Sequence, residues 1–313
     1  GIMHMKNIYF NHDGNIDDLV SLLILLQAPD IKLIGVSAID ADGYIEPSVD
    51  ACRKMIDLFN LRNDNLEVAK STSRAVHQFP NEWRMATYSF NYFPMLNEYG
   101  TIKTPIAKLP AHLDMVDKIK KADDMVDLVM TGPITDLARA LKADPSIQEK
   151  INKVYWMGGS LNGHGNVMSV DADGTQEWNA FWDSQSVATV LESDLNIQMV
   201  GLESTEELPL TDELRMHWAK MRQFPAIDLI GLGYSLIVSI PGAELYLWDV
   251  LTTMSALYPE VVTSSIEAKA KIITSGLADG RMYKADDGKK LTLVTSANKE
   301  LFFQKMDEIL KRS

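Results

Sequence analysis

The sequence predicts an α/β fold, a single domain with a largely parallel central sheet flanked by helices. Two observations carry this. Short runs rich in β-branched and aromatic residues alternate with longer amphipathic segments. No internal repeat and no Pro/Gly/Ser-rich linker divides the 313 residues, and an apolar fraction of 46% supplies enough material for one sizeable core.

The elements follow in order. A strand over Asn7 to Asn11 leads into a helix over Asp17 to Gln27, and a strand over Ile31 to Ile39 leads into a helix over Pro47 to Asn60. The next unit pairs a strand over Met125 to Thr131 with a helix over Thr135 to Ala143. Further strands are expected at Ile151 to Met157 and Ile197 to Leu202, while Ala226 to Ile240 reads equally as a buried helix or a buried strand. Between Ser71 and Thr101, Phe79, Trp83, Tyr88, Phe90, Tyr92 and Phe93 stand among polar residues without sustained periodicity. That pattern suits a long functional loop.

Composition narrows the function. A formal charge of −13 opposes attraction to phosphate backbones, and no clustered basic segment offsets it, so nucleic acid is not an expected partner. No apolar run has the length of a membrane span. The one cysteine, Cys52, provides neither a disulfide framework nor a thiolate metal site and reads as a small buried residue. Gly1 to His4 read as a cloning remnant before Met5, with no signal peptide, leaving residues 5–313 as the domain and a reducing cytoplasmic compartment as its setting.

The chemistry is concentrated in Asn11-His12-Asp13-Gly14-Asn15-Ile16-Asp17-Asp18, at the end of the first strand and the start of the first helix. Ligand sites of open α/β sheets lie at such carboxyl ends. Three carboxylates within six residues repel one another unless a cation sits among them, and a hard ion with oxygen ligands fits that need. The bland alternative is a capped helix start, with Asp17 as the N-terminal cap.

NHDGNIDD strongly resembles the DxDxxxDD fingerprint of the nucleoside hydrolase family, with Asn11 where the family usually has its first aspartate. The resemblance implies a nucleoside hydrolase fold with a Rossmann-like core. It implies calcium as cofactor, held by Asp13 and Asp18, with Asp13 also deprotonating the attacking water. Thr131, before Gly132-Pro133, and Asp249, after Trp248, match the remaining calcium ligands. Gly158-Gly159, Asn166 and Glu177-Trp178-Asn179 resemble the ribose-binding segment. Asn166, Glu177 and Asn179, with Asn15 and Asp17 from the acidic turn, are therefore assigned to the sugar. Asp42 matches a position that contacts ribose or base, with Asp40 the neighbouring alternative.

The base pocket suggests a subclass. Many family members carry histidine before the last metal aspartate, and here that residue is Trp248. Glu82-Trp83-Arg84 resembles the purine-specific inosine-adenosine-guanosine hydrolases of trypanosomes, in which two tryptophans, here Trp83 and Trp248, sandwich the base. Glu82, Trp178 and Asp42 join them as candidates around the purine, while Trp156, Trp182 and Trp218 read as core. The implied reaction is hydrolysis of the N-glycosidic bond of purine ribonucleosides in purine salvage, with solvent or Asp42 supplying the proton to the leaving base, and the implied assembly is a homodimer. Two rival readings compete with it. Asp13-Gly14 loosely resembles the DxDG motif of haloacid dehalogenase phosphatases, but their nucleophile would fall at Asn11, and an amide cannot form the acyl phosphate. The other rival is a calcium-dependent nucleoside or ribose binding protein that has lost catalysis at Asn11.

Overall fold

The structure, a computed structural model, describes residues 5–204 and 208–313; the expectation for Gly1 to His4 lies outside these residues. The N-terminal part runs β1 (Lys6–His12), α1 (Ile16–Gln27), β2 (Ile31–Ala38), α2 (Ile45–Phe59), β3 (Val68–Lys70), α3 (Asn81–Arg84), α4 (Ala86–Asn91) and α5 (Ala111–Lys121). The middle contributes β4 (Val126–Met130), α6 (Thr135–Ala143), β5 (Ile151–Met157), α7 (Trp178–Phe181), α8 (Ser184–Leu191) and β6 (Ile197–Val200). The chain continues through α9 (Asp212–Ala219), α10 (Pro225–Val238), α11 (Trp248–Leu257), β7 (Val262–Ile272), β8 (Met282–Lys284), β9 (Lys289–Ala297) and α12 (Lys299–Leu310).

The nine strands of the described residues join one sheet in the order β3-β2-β1-β4-β5-β6-β9-β7-β8. Pairing is parallel from β3 through β6 to β9, and antiparallel only where β7 meets β9 and β8. Strands buried on both faces read as continuous apolar runs, which is why Ile8, Tyr9 and Phe10 are all fully buried in β1. On one side lies a core built around α1, and on the other a second core of Met115, Leu128, Leu137, Val154 and Met199.

Helix α1 is buried along all 12 residues, because α2, α10, α11 and α12 surround it. An all-round apolar helix suits that position. Its charged residues, Asp17 and Asp18, are confined to the first turn, so they are held inside the protein at the edge of the sheet. The strand order reverses beside β1, which has β2 on one side and β4 on the other. The connections after these strands diverge and open a crevice at their carboxyl ends.

Several expectations needed revision. Residues 226–240, left open between helix and strand, fall in α10 and its C-terminal turn. The aromatic loop contains two short helices, α3 and α4, and Phe90 within it is core. The strands of the C-terminal hairpin, β7 to β9, were not anticipated. Along β7 most side chains from Thr263 to Lys269 are exposed polar residues, so the strand carries little apolar alternation to read. Trp156, Trp182 and Trp218 are buried, as is Cys52, whose thiol packs 2.9 Å from His12 Nε2.

Candidate active site

The acidic turn is shaped by one close approach. Gly14 has φ +73°, and a Cβ there would lie 1.9 Å from Ser48 Oγ of α2, so glycine is required by conformation and by space. The next residue, Asn15, is the N-terminal cap of α1, its side-chain oxygen accepting from the Ile16 N–H at 2.7 Å. The Asn15 amide also donates to the backbone oxygens of Asp42 and Trp83. Asp17, the alternative cap in the sequence, serves a different helix. Its carboxylate accepts from the backbone N–H of Asp249, in the first turn of α11, and from the Tyr234 hydroxyl of α10.

Asp13, Asp17, Asp18, Asp42 and Asp249 all reach one cavity of about 550 Å³. Asp18 is the hub. Its Oδ1 accepts from the Asp13 N–H at 3.2 Å and the Thr131 hydroxyl at 2.6 Å. Gly132, following Thr131, lets the β4 turn close on this group, since a Cβ there would stand 2.9 Å from that of Asp13. Asp13 Oδ2 in turn accepts from the Asp42 N–H at 3.2 Å. Burial, then the Asp18 carboxylate, pushes Asp13 and Asp249 well above the usual carboxylate range. Burial leads again at Asp17 and Asp42, both pushed up to about 7.

No lysine, arginine or histidine is among the described residues lining the cavity. Packed carboxylates without a cationic partner are a poor arrangement for the protein alone and a good one for a hard cation. Asp18 abuts Asp13 and Asp249 in turn, although among the described residues no three acidic, imidazole or thiol side chains are placed to hold a metal ion by themselves. The Thr131 carbonyl meets the Asn179 amide at 3.2 Å beside the same group.

Asn166, Glu177 and Asn179, expected to bind sugar, line the same cavity, the last two at the start of α7. Glu177 caps α7, its oxygens accepting from the N–H groups of Gly159, Asn179 and Ala180, and burial pushes its carboxyl up to about 7. The Asn179 amide donates to the carbonyls of Thr131 and Met157. Asn166 Oδ1 accepts from the Trp178 N–H, and Asn166 lines the cavity. Asp40 and Asp42 differ in position. Asp40 is held by Arg84 and the Ile45 N–H, whereas Asp42 lines the cavity with Oδ1 buried and without a hydrogen-bond partner.

The remaining wall is mostly apolar, with Glu82 and Glu244 as its charged residues. Phe79, Glu82, Trp83, Trp178 and Trp248 all line it. Trp83 is 45% exposed and meets Trp178 edge-on with ring centroids 5.9 Å apart, while Phe79 stacks on Trp178 at 4.9 Å. Arg84 fastens α3 by donating to the Ala41 carbonyl and Asp40. The sequence reading missed Ile237 in the last turn of α10, and Ile240 to Leu245 after it, which complete this wall. Their signal was the Pro241-Gly242 break separating an apolar run from Trp248-Asp249.

The chain as a whole matches a known family along almost its entire length. The family model described as inosine-uridine preferring nucleoside hydrolase covers residues 8–304. The chain belongs to the nucleoside hydrolase family. A solved inosine-uridine preferring nucleoside hydrolase from Bacillus anthracis is 41% identical, with a TM-score of 0.94, covering 99% of this chain and 100% of that one. Probable uridine nucleosidase 2 of Arabidopsis thaliana is 25% identical over 88% of this chain and 84% of its own length. The purine-preferring ribonucleoside hydrolase of Gardnerella vaginalis, at 22% identity, shares the fold, with a TM-score of 0.78 over 98% of this chain and 100% of that one. Nucleoside hydrolase relatives thus include proteins named for uridine, for inosine and uridine together, and for purines.

Proposed function

We propose that this nucleoside hydrolase cleaves the N-glycosidic bond of purine ribonucleosides, inosine, adenosine and guanosine, releasing free base and ribose. The observation that carries the reading is that one cavity is lined both by buried carboxylates and by three indoles. Ribose hydroxyls suit the carboxylates, and a fused two-ring base offers more surface to the indoles than a pyrimidine does.

Calcium is the proposed cofactor, with the side chains of Asp13, Asp18 and Asp249 and the Thr131 carbonyl as its protein ligands. Once bound, it would supply charge neutralisation, a lowered water pKa and chelation of ribose hydroxyls. Asp13 is the proposed base, taking a proton from the water that attacks C1′. Positive charge developing on the sugar is met by the surrounding carboxylates without a covalent intermediate, so inversion is expected. Asn166, Glu177 and Asn179, with Asn15 and Asp17, orient the ribose. Trp83, Trp248 and Trp178, with Glu82, enclose the base, and stacking there favours a partly positive purine. Solvent or the Asp42 carboxyl, whose buried Oδ1 has no hydrogen-bond partner, is proposed to supply the proton to the departing base.

The proposed setting is a cytoplasmic homodimer serving purine salvage, and sedimentation of the purified protein tests its assembly. The reaction is tested by measuring free base and reducing sugar from inosine and from uridine, before and after calcium chelation. Chelator-sensitive cleavage of inosine with little of uridine supports the whole reading. Equal cleavage of the two removes the purine assignment, and binding of nucleoside without cleavage removes the reaction.

A further inference from the structure

Asn11 departs from the family fingerprint, and the structure gives it a partner on another element. It is fully buried at the end of β1, two residues before Asp13. Its amide Nδ2 donates to Ser37 Oγ of β2 at 2.8 Å and to Asp136 Oδ2, in the first turn of α6, at 3.0 Å. Asp136 is also fully buried, and its other oxygen accepts from the hydroxyls of Ser71 and Ser73, each at 2.7 Å. Arg139 reaches Ser73 and Thr72 without an ion pair to Asp136 itself. Asp136 is therefore a buried carboxylate held by neutral donors, one of which is Asn11.

The pair joins two functional turns. Asn11 leads directly into Asp13, while Asp136 follows Thr131-Gly132-Pro133, and the Asn11 carbonyl accepts from the Thr131 N–H at 3.1 Å. A carboxylate at position 11 would face that of Asp136 across about the same 3.0 Å, with no cation between them. We infer that Asn11 and Asp136 form a matched amide–carboxylate pair that positions the Asp13 and Thr131 turns, so that one of the two positions can carry a charge but not both. Both are positioning residues, and their importance to activity rests on the roles proposed for Asp13 and Thr131. Partners of this kind typically change affinity or rate by about 10- to 100-fold when broken.

The test is a double-mutant cycle of Asn11→Asp, Asp136→Asn and the two together, read by urea unfolding of calcium-free protein and by kcat and KM on inosine. Asn11→Asp, although it restores the fingerprint aspartate, should lower kcat at least about tenfold per folded molecule with little change in KM. The double variant should recover kcat to within about threefold of the parent and regain most of the lost unfolding midpoint. Additive losses in both readouts would overturn the pairing. Coupling in unfolding with kcat unchanged throughout would make the pair structural only and overturn its positioning role. If the parent protein does not cleave inosine, the proposed function fails, while the unfolding cycle still decides the pairing.

Discussion

Asp17 of α1 caps α11: its carboxylate accepts from the backbone N–H of Asp249 at 2.8 Å while also accepting from Tyr234 at 2.6 Å. One side chain thereby ties the acidic turn to the helix carrying the last carboxylate and to the helix ending at the apolar wall. Replacing Asp17 with alanine leaves buried donors without a partner, so unfolding stability should fall by about 1–3 kcal/mol. Tyr234→Phe removes only one of these bonds and should cost about 1 kcal/mol. Urea titration of the two variants checks the order.

Asp13→Ala should lower kcat on inosine by about 10²- to 10⁴-fold, the usual contribution of a positioned base. The fold should survive, since the substitution removes one of several mutually repelling buried carboxylates. A melting temperature held or raised in calcium-free buffer, alongside lost turnover, is the expected pair of results; near-normal kcat would remove Asp13 as the base.

Trp248→Ala and Trp83→Ala should each lower kcat/KM on inosine by roughly tenfold, by loss of stacking, and should change uridine less. Trp248 lies beside Asp249, so calcium affinity must be measured on the same variant. A change in calcium affinity alone, with the inosine-to-uridine ratio intact, would show that the indole does not discriminate bases.

Stability should depend on pH in a way that calcium reverses. Asp17, Asp42 and Glu177 are pushed up to about 7 in the folded protein from ordinary values of 3.8, 3.8 and 4.5. The folded state holds their protons more tightly, so the associated stability is full below about pH 4 and is lost as pH rises through 7. His12 acts oppositely, because burial lowers it from 6.5 to about 4, and its contribution fades as pH falls through that interval. Three carboxylates outweigh one imidazole. Calcium-free protein should therefore melt higher at pH 5 than at pH 7, and added calcium should stabilise it more at pH 7, where the acids are free to ionise. Scanning calorimetry at the two pH values, with chelator and with calcium, checks both signs.

Much of the molecule was legible along the chain. The alternation of β-like and amphipathic runs marked the parallel strands from β1 to β6 apart from short β3, because a two-sided sheet demands apolar strands whatever their neighbours are. The acidic turn announced itself through charge density alone, since Asp13, Asp17 and Asp18 lie within six residues and local repulsion needs no tertiary knowledge. The sequence was silent where burial did not shape composition, as along β7, whose exposed side chains carry little apolar pattern.

What the sequence by itself determined, then, was the fold class and the family resemblance, and it named the residues proposed to do the chemistry. Only the tertiary structure decided which of them meet. It separated Asp42, in the cavity, from Asp40, held by Arg84. It made Asp17, in sequence only the alternative cap of its own helix, the cap of α11, 232 positions away, and gave Asn11 a carboxylate partner 125 positions away. Hydrogen bonds and charge repulsion act over a few ångströms of space, and chain order carries that proximity only within a turn or a helix.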